Sequence, residues 1–319
     1  MKSKPSVISP SDQDHWLELR KRNINSTEIS ALFGANPYLS EYELWHKKKD
    51  PSLDDAIKDN ERMMWGRKLE SVIAEAAAEQ LGVQIEPMKD YWSLDSQRLG
   101  SSFDYVQKSS SGLLEAIFEC KNVDSRAYDK NWIEHSSEPD SQGLIDLEAP
   151  PYIEFQVQHQ MLISSVPVAY ICALVGGNQL KITKRTANPQ IHNLILQKSN
   201  KFWQSIESNA PPKIDFERDS EFIISLHNYA EPNKIMQSTP DLDLLIAGYN
   251  SVSSAIKDLE SQKDMWKAKI MQTIGDAEKV KGEKYTISAG ITPESVVSYT
   301  RKSFRNFKVT NKKEKNDTV

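Results

Sequence analysis

Apolar residues recur at helical spacing in several stretches of the first two hundred residues, and shorter apolar runs lie between them. The helical stretches begin at capping residues, and two of them end at a glycine. We predict helices over 12–22, 26–33, 42–49, 57–81, 152–163 and 191–206. The shorter runs predict strands over 84–87, 91–94, 100–107, 113–120, 169–175 and 179–185. This mixture of helices and strands indicates an α/β fold.

Turn residues join two of these strand pairs. Residues 108–112 predict a hairpin turn between strands 100–107 and 113–120, and 176–178 predict a second hairpin. Several prolines and a glycine in 136–151 indicate an irregular loop before helix 152–163.

The pattern changes beyond residue 217. Pro211 and Pro212 mark a boundary, so we divide the chain into a domain over 1–217 and an extension over 218–319. Within the extension, apolar residues at spacings of 4, 3, 4, 3, 7 and 4 predict one long amphipathic helix over 242–274. Short strands are predicted over 284–289 and 303–309, and a charged, disordered tail over 311–319. The helix either packs on the first domain, mediates oligomerisation or binds a partner protein.

Composition narrows the classes of protein. The 319 residues carry 40 Lys and Arg against 45 Asp and Glu, a net charge of −5. The chain is therefore not a polycation that holds nucleic acid by bulk charge. Two cysteines, Cys120 and Cys172, are too few for a disulfide framework, a zinc site of cysteines or a four-cysteine iron–sulfur cluster.

Several signals are missing from the sequence. There is no run of about 18 apolar residues, and residues 1–10 lack the apolar core of a signal peptide. We therefore expect a cytoplasmic protein without a membrane span. No phosphate-binding glycine loop or dinucleotide fingerprint occurs, which predicts no nucleotide cofactor, and no serine stands in a nucleophile motif.

The predicted hairpin over 100–121 contains the most informative polar residues. Asp104 lies on its first strand, while Glu119 and Lys121 lie two residues apart on the second and so share one face. Two carboxylates and the backbone carbonyl of Cys120 offer the hard oxygen ligands that Mg²⁺ prefers. Lys121 would then orient or deprotonate a water molecule. The alternative is that Glu119 and Lys121 form an ordinary surface ion pair.

Two further stretches carry candidate residues. Glu70 follows Gly66 inside a predicted helix, where a glycine costs about 1 kcal/mol and usually allows a close approach to a sheet or a ligand. Gln156 begins the run Gln156-Val157-Gln158-His159-Gln160, in which Gln156 shares a helical face with His159 or Gln160. A glutamine beside a metal site can hydrogen-bond a water or a phosphate. Both Glu70 and Gln156 could instead be ordinary helix surface.

Taken in order, the motifs resemble those of the phage lambda exonuclease and YqaJ-type viral recombinase nucleases over residues 15 to about 210. The matching motifs are Trp16-Leu17-Glu18-Leu19-Arg20, Ile24-Asn25-Ser26-Thr27-Glu28, Gly34-x-Asn36-Pro37-Tyr38, Gly66-x-x-x-Glu70, Asp104, Glu119-x-Lys121 and Gln156-Val157-Gln158-His159-Gln160-Met161. Each motif is weak by itself, and their shared order makes the resemblance specific.

The resemblance implies a fold and an activity. The fold is restriction-endonuclease-like, of the PD-(D/E)xK superfamily, with a mixed central sheet flanked by helices. The activity is Mg²⁺-dependent 5′-to-3′ degradation of linear double-stranded DNA, releasing 5′-mononucleotides and leaving a 3′ overhang. Two ions are implied, with Mn²⁺ as a substitute for Mg²⁺. A single-strand annealing protein as partner, a homo-oligomer such as a trimer, and a phage or prophage origin in a bacterial host follow by the same analogy.

The resemblance also assigns roles to residues. Asp104, Glu119 and the Cys120 carbonyl would hold the metal, with Glu70 as a further acidic group nearby. Lys121 would activate water, and Gln156 would place the water or the scissile phosphate. A last group would bind the terminal 5′ phosphate and the adjoining DNA, and it comprises Arg20, Thr27, Ser102 and Gln158.

The sequence departs from the family pattern at three places. Phe103 replaces the family's proline before the metal-binding aspartate, Tyr105 replaces the glycine after it, and the loop over 130–151 is long. Because none of these side chains is a ligand, the chemistry is expected to survive. The alternatives are a PD-(D/E)xK endonuclease and a non-catalytic protein that binds DNA ends or supports assembly.

Overall fold

The computed structural model describes residues 4–53, 60–136, 138–301 and 303–310. Contacts divide the chain into two units, Met1–Phe222 and Ile223–Val319. The helices of the first unit are α1 Gln13–Lys21, α2 Glu41–Lys49, α3 Glu61–Leu81, α4 Ser125–Asn131, α5 Pro151–Ser164 and α6 Pro189–Glu207, and α7 Ser220–Leu226 spans the boundary. None of the helices in the described ranges is both long and apolar enough to cross a membrane.

Three strands of the first unit, β7, β10 and β11, have eight residues or more, and the others have two to four. They are β1 Ser6–Ile8, β2 Ile24–Asn25, β3 Glu86–Pro87, β4 Tyr91–Leu94, β5 Leu99–Ser101, β6 Tyr105–Lys108, β7 Leu114–Val123, β8 Ile133–Glu134, β9 Leu147–Glu148, β10 Val168–Val175 and β11 Gln179–Thr186. They form a five-stranded sheet in the order β11-β10-β7-β6-β3, a four-stranded sheet in the order β1-β4-β5-β2, and the pair β8-β9.

The five-stranded sheet is mixed and lies between two helices. Strand β10 runs parallel to β7, whereas β6 and β7 pair antiparallel. Side chains alternate across β7, so Phe118 packs with Ile73 of α3 while Ile117 packs with Val157 of α5. The predicted fold class, a mixed central sheet flanked by helices, is thereby confirmed.

The four-stranded sheet packs against α6 and the segment that follows β2. Its buried apolar cluster includes Ile24, Leu99 and Phe202. Gly100 of β5 is needed for packing, because a Cβ there would lie 1.7 Å from the Tyr91 hydroxyl. That hydroxyl donates to Asn25 Oδ1 at 2.8 Å, so the close approach ties β4 to β2.

The predicted strand over 100–107 is wrong as a single element. It consists of β5 in one sheet and β6 in the other, and the chain crosses between them at residues 102–104. Asp104 therefore stands just before a strand rather than on it. The crossing turns Phe103 into the core beside Val106, an arrangement that an alternation pattern does not reveal.

Other differences concern short or capped elements. The predicted helix over 26–33 is a 3₁₀ helix confined to Ile29–Phe33, and α3 begins at Glu61 because Asn60 caps it. The predicted helical residues 57–59 lie outside the described residues. Helices α4 and α7 and strands β1 and β2 escaped prediction because each is too short to show a period. Strand β8 precedes the predicted loop over 136–151, whereas β9 lies inside it, so that stretch is not entirely irregular.

The second unit contains one long helix and one hairpin. Helix α8, Pro240–Ile274, starts at the Thr239 cap, and none of its residues is buried. Strands β12 Lys279–Lys281 and β13 Thr286–Ser288 pair antiparallel, so the predicted strand over 284–289 exists and has a partner that was not predicted. Among the described residues of 303–309 there is no strand, contrary to expectation. The tail over 311–319 lies outside the described residues.

Phe222 lies beyond the predicted domain boundary at residue 217 yet packs against the rings of Tyr42 and His46 on α2. We expect Phe222→Ala to lower the free energy of unfolding by roughly 1–3 kcal/mol, because the ring loses its apolar contacts. Ile224→Ala removes a side chain that is 73% exposed and should change stability by less than about 0.5 kcal/mol. Chemical denaturation measures both, and equal effects would contradict the packing of Phe222 against α2.

Candidate active site

Glu119 is the centre of the polar site, and its carboxylate is almost entirely buried, with 2% of the residue exposed. The Gln156 amide donates to Oε1 at 2.6 Å, and the Gln160 amide donates to Oε2 at 2.6 Å. Lys121 also donates to Oε1 in a short ion pair. A buried carboxylate is tolerated only when it is paired and hydrogen-bonded, and here three donors serve it.

Lys121 lies on the same face of β7 as Glu119, as the two-residue spacing predicts. Its ammonium also lies 3.3 Å from Oε1 of Gln156 and can donate to it. Burial acts to lower the pKa of Lys121, but Glu119 and Asp104 outweigh burial, so the pKa is raised. The side chain remains partly accessible, so a positive charge is available at the surface of the site.

Asp104 enters the site from the crossing between the two sheets. Its Oδ2 accepts a hydrogen bond from the backbone N–H of Cys120 at 2.8 Å. Burial, followed by the charge of Glu119, raises the pKa of Asp104 well above its usual range. The thiol of Cys120 packs with Phe118 on the opposite face of the sheet, as the alternation of side chains predicts.

Glu70 approaches the same carboxylates from α3. Its pKa is raised by burial and by the charge of Glu119, while Lys121 opposes the shift. A Cβ built on Gly66, one turn earlier, would meet nothing within 4 Å. Gly66 therefore does not serve a close contact between α3 and the sheet, and the space beside it is open to a ligand.

The donor set fits a divalent cation. Among the described residues, no group of three His, Cys, Asp or Glu side chains is placed to hold a metal ion without help. Mg²⁺, however, is commonly held by one or two carboxylates with water completing its shell. Asp104 and Glu119 would supply those carboxylates, and a cation would relieve their mutual repulsion.

The glutamines of α5 contact two separate places, and Gln158 does not lie with the other predicted site residues. Gln156 and Gln160, four residues apart, both face Glu119. Gln158 is buried elsewhere, where its amide donates to the Thr186 carbonyl at 3.0 Å and accepts from the Asn188 N–H at 2.9 Å. The structure thus places Gln158 at the start of α6, apart from the other candidates, and brings in Gln160.

The three remaining candidates are connected through Trp16. Arg20 donates to the Thr27 hydroxyl at 3.2 Å, and its guanidinium stacks on the Trp16 ring at 4.6 Å from the centroid. The indole N–H of Trp16 donates to the Ser102 hydroxyl at 2.9 Å. Arg20, Thr27 and Ser102 thus belong to one cluster of donors, and the aromatic residue that joins them was not predicted.

Below this cluster lies a buried ion pair. Lys48 pairs with Glu28 at 2.8 Å, with 2% of the lysine side chain exposed. Burial acts to raise the pKa of Glu28, but Lys48 and Arg20 outweigh it and the pKa is lowered. Glu28 accepts from the backbone N–H of Asn25 at 2.8 Å, so the pair anchors the segment that presents Thr27.

A mixed sheet between helices, with three carboxylates and one lysine gathered around its central strand, defines an α/β protein with an acidic polar site. Residues 15–167 match the model of the YqaJ-like viral recombinase domain. This match confirms the resemblance drawn from the ordered motifs.

Individual relatives and structures show distant similarity. The chain is 23% identical over 278 residues to the uncharacterized protein YqaJ of Bacillus subtilis (strain 168), covering 85% of this chain and 81% of that protein. An alkaline exonuclease from Laribacter hongkongensis is 12% identical, with a TM-score of 0.46 over 67% of this chain and 100% of its own. A phage-related exonuclease from Haemophilus somnus 129PT is 10% identical, with a TM-score of 0.37 over 61% and 99%.

His159, next to Gln160, is expected to make the stability of the protein depend on pH. It is fully buried, its Nε2 lies 3.1 Å from the Gly100 carbonyl, and burial lowers its pKa to about 4. Below the ordinary histidine pKa of about 6.5, His159 binds a proton in the unfolded chain but stays neutral in the folded chain. The free energy of unfolding therefore decreases as pH falls. Between pH 7 and 5 the loss from His159 should reach about 2 kcal/mol.

Denaturation of the wild type and of His159→Gln at both pH values measures this contribution. We expect the variant to lose that part of the pH dependence. His135→Gln, which alters a histidine on the surface, serves as the control and should retain the wild-type dependence. An unchanged dependence in His159→Gln would contradict the assignment.

Proposed function

We propose that the chain is a Mg²⁺-dependent 5′-to-3′ exodeoxyribonuclease that acts on the ends of linear double-stranded DNA. It would release 5′-mononucleotides and leave a 3′ single-stranded overhang for recombination by strand annealing. The observation that carries the proposal is that Asp104 and Lys121 lie around the buried carboxylate of Glu119. Together with the domain match, this group supports a nuclease acting on DNA.

Asp104, Glu119 and the backbone carbonyl of Cys120 would hold the metal, and Glu70 would add negative charge beside them. When bound, Mg²⁺ would supply positive charge that stabilises the phosphate whose bond to the 3′ oxygen breaks, and Mn²⁺ is expected to substitute for it. Two ions are proposed because three carboxylates approach the site and each lowers the cost of a second cation.

Lys121 and the glutamines perform the remaining tasks. The ammonium of Lys121 is held by Glu119 and can orient a water molecule for in-line attack or contact a phosphate oxygen. Gln156 has its amide nitrogen on Glu119 and its oxygen 3.3 Å from Lys121, so it fixes both groups relative to each other. These residues preorganise the site before DNA arrives.

The cluster around Arg20 supports recognition of a 5′ end. A guanidinium and two hydroxyls, from Thr27 and Ser102, suit a terminal phosphate dianion. Gln160 links this cluster to the carboxylates, because its amide nitrogen lies 2.6 Å from Glu119 Oε2 and 3.4 Å from the Ser102 carbonyl. A strand end bound at Arg20 would therefore lie close to the carboxylate site.

The family analogy extends the proposal to partners. We propose a homo-oligomer, with a trimer as the expected form, and a single-strand annealing protein that receives the 3′ overhang. The extension over 218–319 is the part of the chain open to either role, since none of the residues of α8 is buried.

Substitutions on β7 test the site. We expect Glu119→Gln and Lys121→Ala each to reduce cleavage of linear duplex by roughly 100-fold or more, because each removes charge from the reacting centre. Glu115→Gln alters an exposed carboxylate of the same strand, which accepts a hydrogen bond from Gln107, and should retain activity. Full activity in both Glu119→Gln and Lys121→Ala would overturn the site.

The same assay tests the class of enzyme. Duplexes labelled at the 5′ or the 3′ end, together with covalently closed circles, are incubated with and without Mg²⁺. We expect early release of the 5′ label as mononucleotide and survival of the circles. Loss of circles would indicate an endonuclease, and survival of both substrates would indicate a DNA-end-binding protein.

A further inference from the structure

A cavity of about 330 Å³ opens directly beside Lys121 and contains side chains that the proposed reaction does not use. Its wall is aromatic and basic, a combination that suits a nucleotide, which has both a flat base and a phosphate. The side chains that matter for this argument are Tyr38, Arg62, Trp132 and Tyr152.

Tyr38 is exposed yet rigidly supported. The residue is 76% exposed, although its backbone sits in a turn held by the Asn36 side chain. Asn36 Oδ1 accepts from the N–H groups of Tyr38 at 2.9 Å and Leu39 at 3.1 Å, and its amide donates to the Thr27 carbonyl at 3.0 Å. Arg218 also donates to the Leu39 carbonyl at 2.9 Å. A rigid turn that presents a large ring to solvent favours a binding surface over packing.

Tyr152 and Arg62 complete the wall of the cavity. The Tyr152 ring meets Tyr38 edge to face, at 6.0 Å between centroids and an angle of 81°, so one face of Tyr38 need not be covered by it. Tyr152 lies on the first turn of α5, one turn before Gln156. Arg62 lies on the first turn of α3, and among the described residues no carboxylate pairs with it.

We propose that this cavity is a nucleotide subsite, in which the base next to the scissile phosphate stacks on Tyr38 and Arg62 binds a backbone phosphate. The inference rests on the proposed nuclease function and adds to it the group that recognises the unpaired terminal nucleotide. Because every base has an aromatic face, the subsite tolerates any sequence. The turn of Tyr38 is bonded to Thr27, so the subsite and the phosphate cluster are held in one frame.

The first test uses a substrate whose terminal 5′ nucleotide lacks its base. We expect Tyr38→Ala to lower kcat/KM on normal duplex about 10- to 100-fold, and Tyr38→Phe to stay within about 3-fold of wild type, since stacking needs the ring and not the hydroxyl. The kcat/KM of the wild type should fall by a similar factor when the abasic substrate replaces normal duplex. The kcat/KM of Tyr38→Ala should differ little between the two substrates. Tyr229→Ala, at a tyrosine that is 78% exposed, is the matched control.

The subsite would be overturned if the two losses in kcat/KM were independent. If the factor lost on removing the base and the factor lost in Tyr38→Ala multiply fully, the base does not stack on Tyr38. The same conclusion follows if Tyr38→Ala cleaves as well as wild type. Combining the two changes tests the contact, because groups that interact give non-additive losses whereas independent groups give additive ones.

A second measurement does not depend on cleavage. In EDTA, a duplex with 2-aminopurine at the 5′ terminus should lose fluorescence on binding to the wild type and to Tyr38→Phe, but not to Tyr38→Ala. Arg62→Ala should weaken binding and reduce the slope of log K against log salt by about one. Equal quenching by Tyr38→Ala would overturn the subsite. Quenching without any cleavage of duplex would overturn the proposed nuclease function and leave the subsite supported.

Discussion

The buried carboxylate of Glu119 is the constraint on which the rest of the site depends. Its removal from water would be costly without compensation, and the chain supplies Lys121, Gln156 and Gln160 as donors. Two of these donors lie on α5 and one on β7. The contacts of Glu119 therefore fix the rotation of α5 about its own axis as well as its distance from the sheet. Apolar packing alone does not fix that rotation.

The rotation of α5 also determines which groups its other polar side chains contact. With Gln156 and Gln160 facing Glu119, His159 is directed at the Gly100 carbonyl of β5, and Gln160 also reaches the Ser102 carbonyl. Both acceptors belong to the four-stranded sheet and the crossing that follows it. One helix thus ties the two sheets together, and the same contacts connect the carboxylate site with the cluster of Arg20, Thr27 and Ser102.

The sequence predicted well those features that depend on local period. The two-residue spacing placed Glu119 and Lys121 on one face, and the mixed α/β class followed from long, regular elements. It failed where a choice depends on tertiary contacts. Nothing local distinguishes Gln158 from Gln160 until the face of α5 that meets the sheet is known. The crossing at 102–104 contains neither glycine nor proline, so it was hidden within one predicted strand.

The net charge of −5 takes on a different meaning once the site is described. In the proposed nuclease, Asp104, Glu119 and Glu70 would face the scissile phosphate, so general basicity would not be what brings DNA there. The attraction would come from cations held by those carboxylates, from a few basic side chains at defined places, and from aromatic surfaces that are indifferent to charge. Trp16 stacks on Arg20, and Tyr38 and Tyr152 line one cavity with Arg62 and Lys121, so these rings would suit that role. Binding through rings and local cations would let the chain hold an acidic polymer without becoming basic overall.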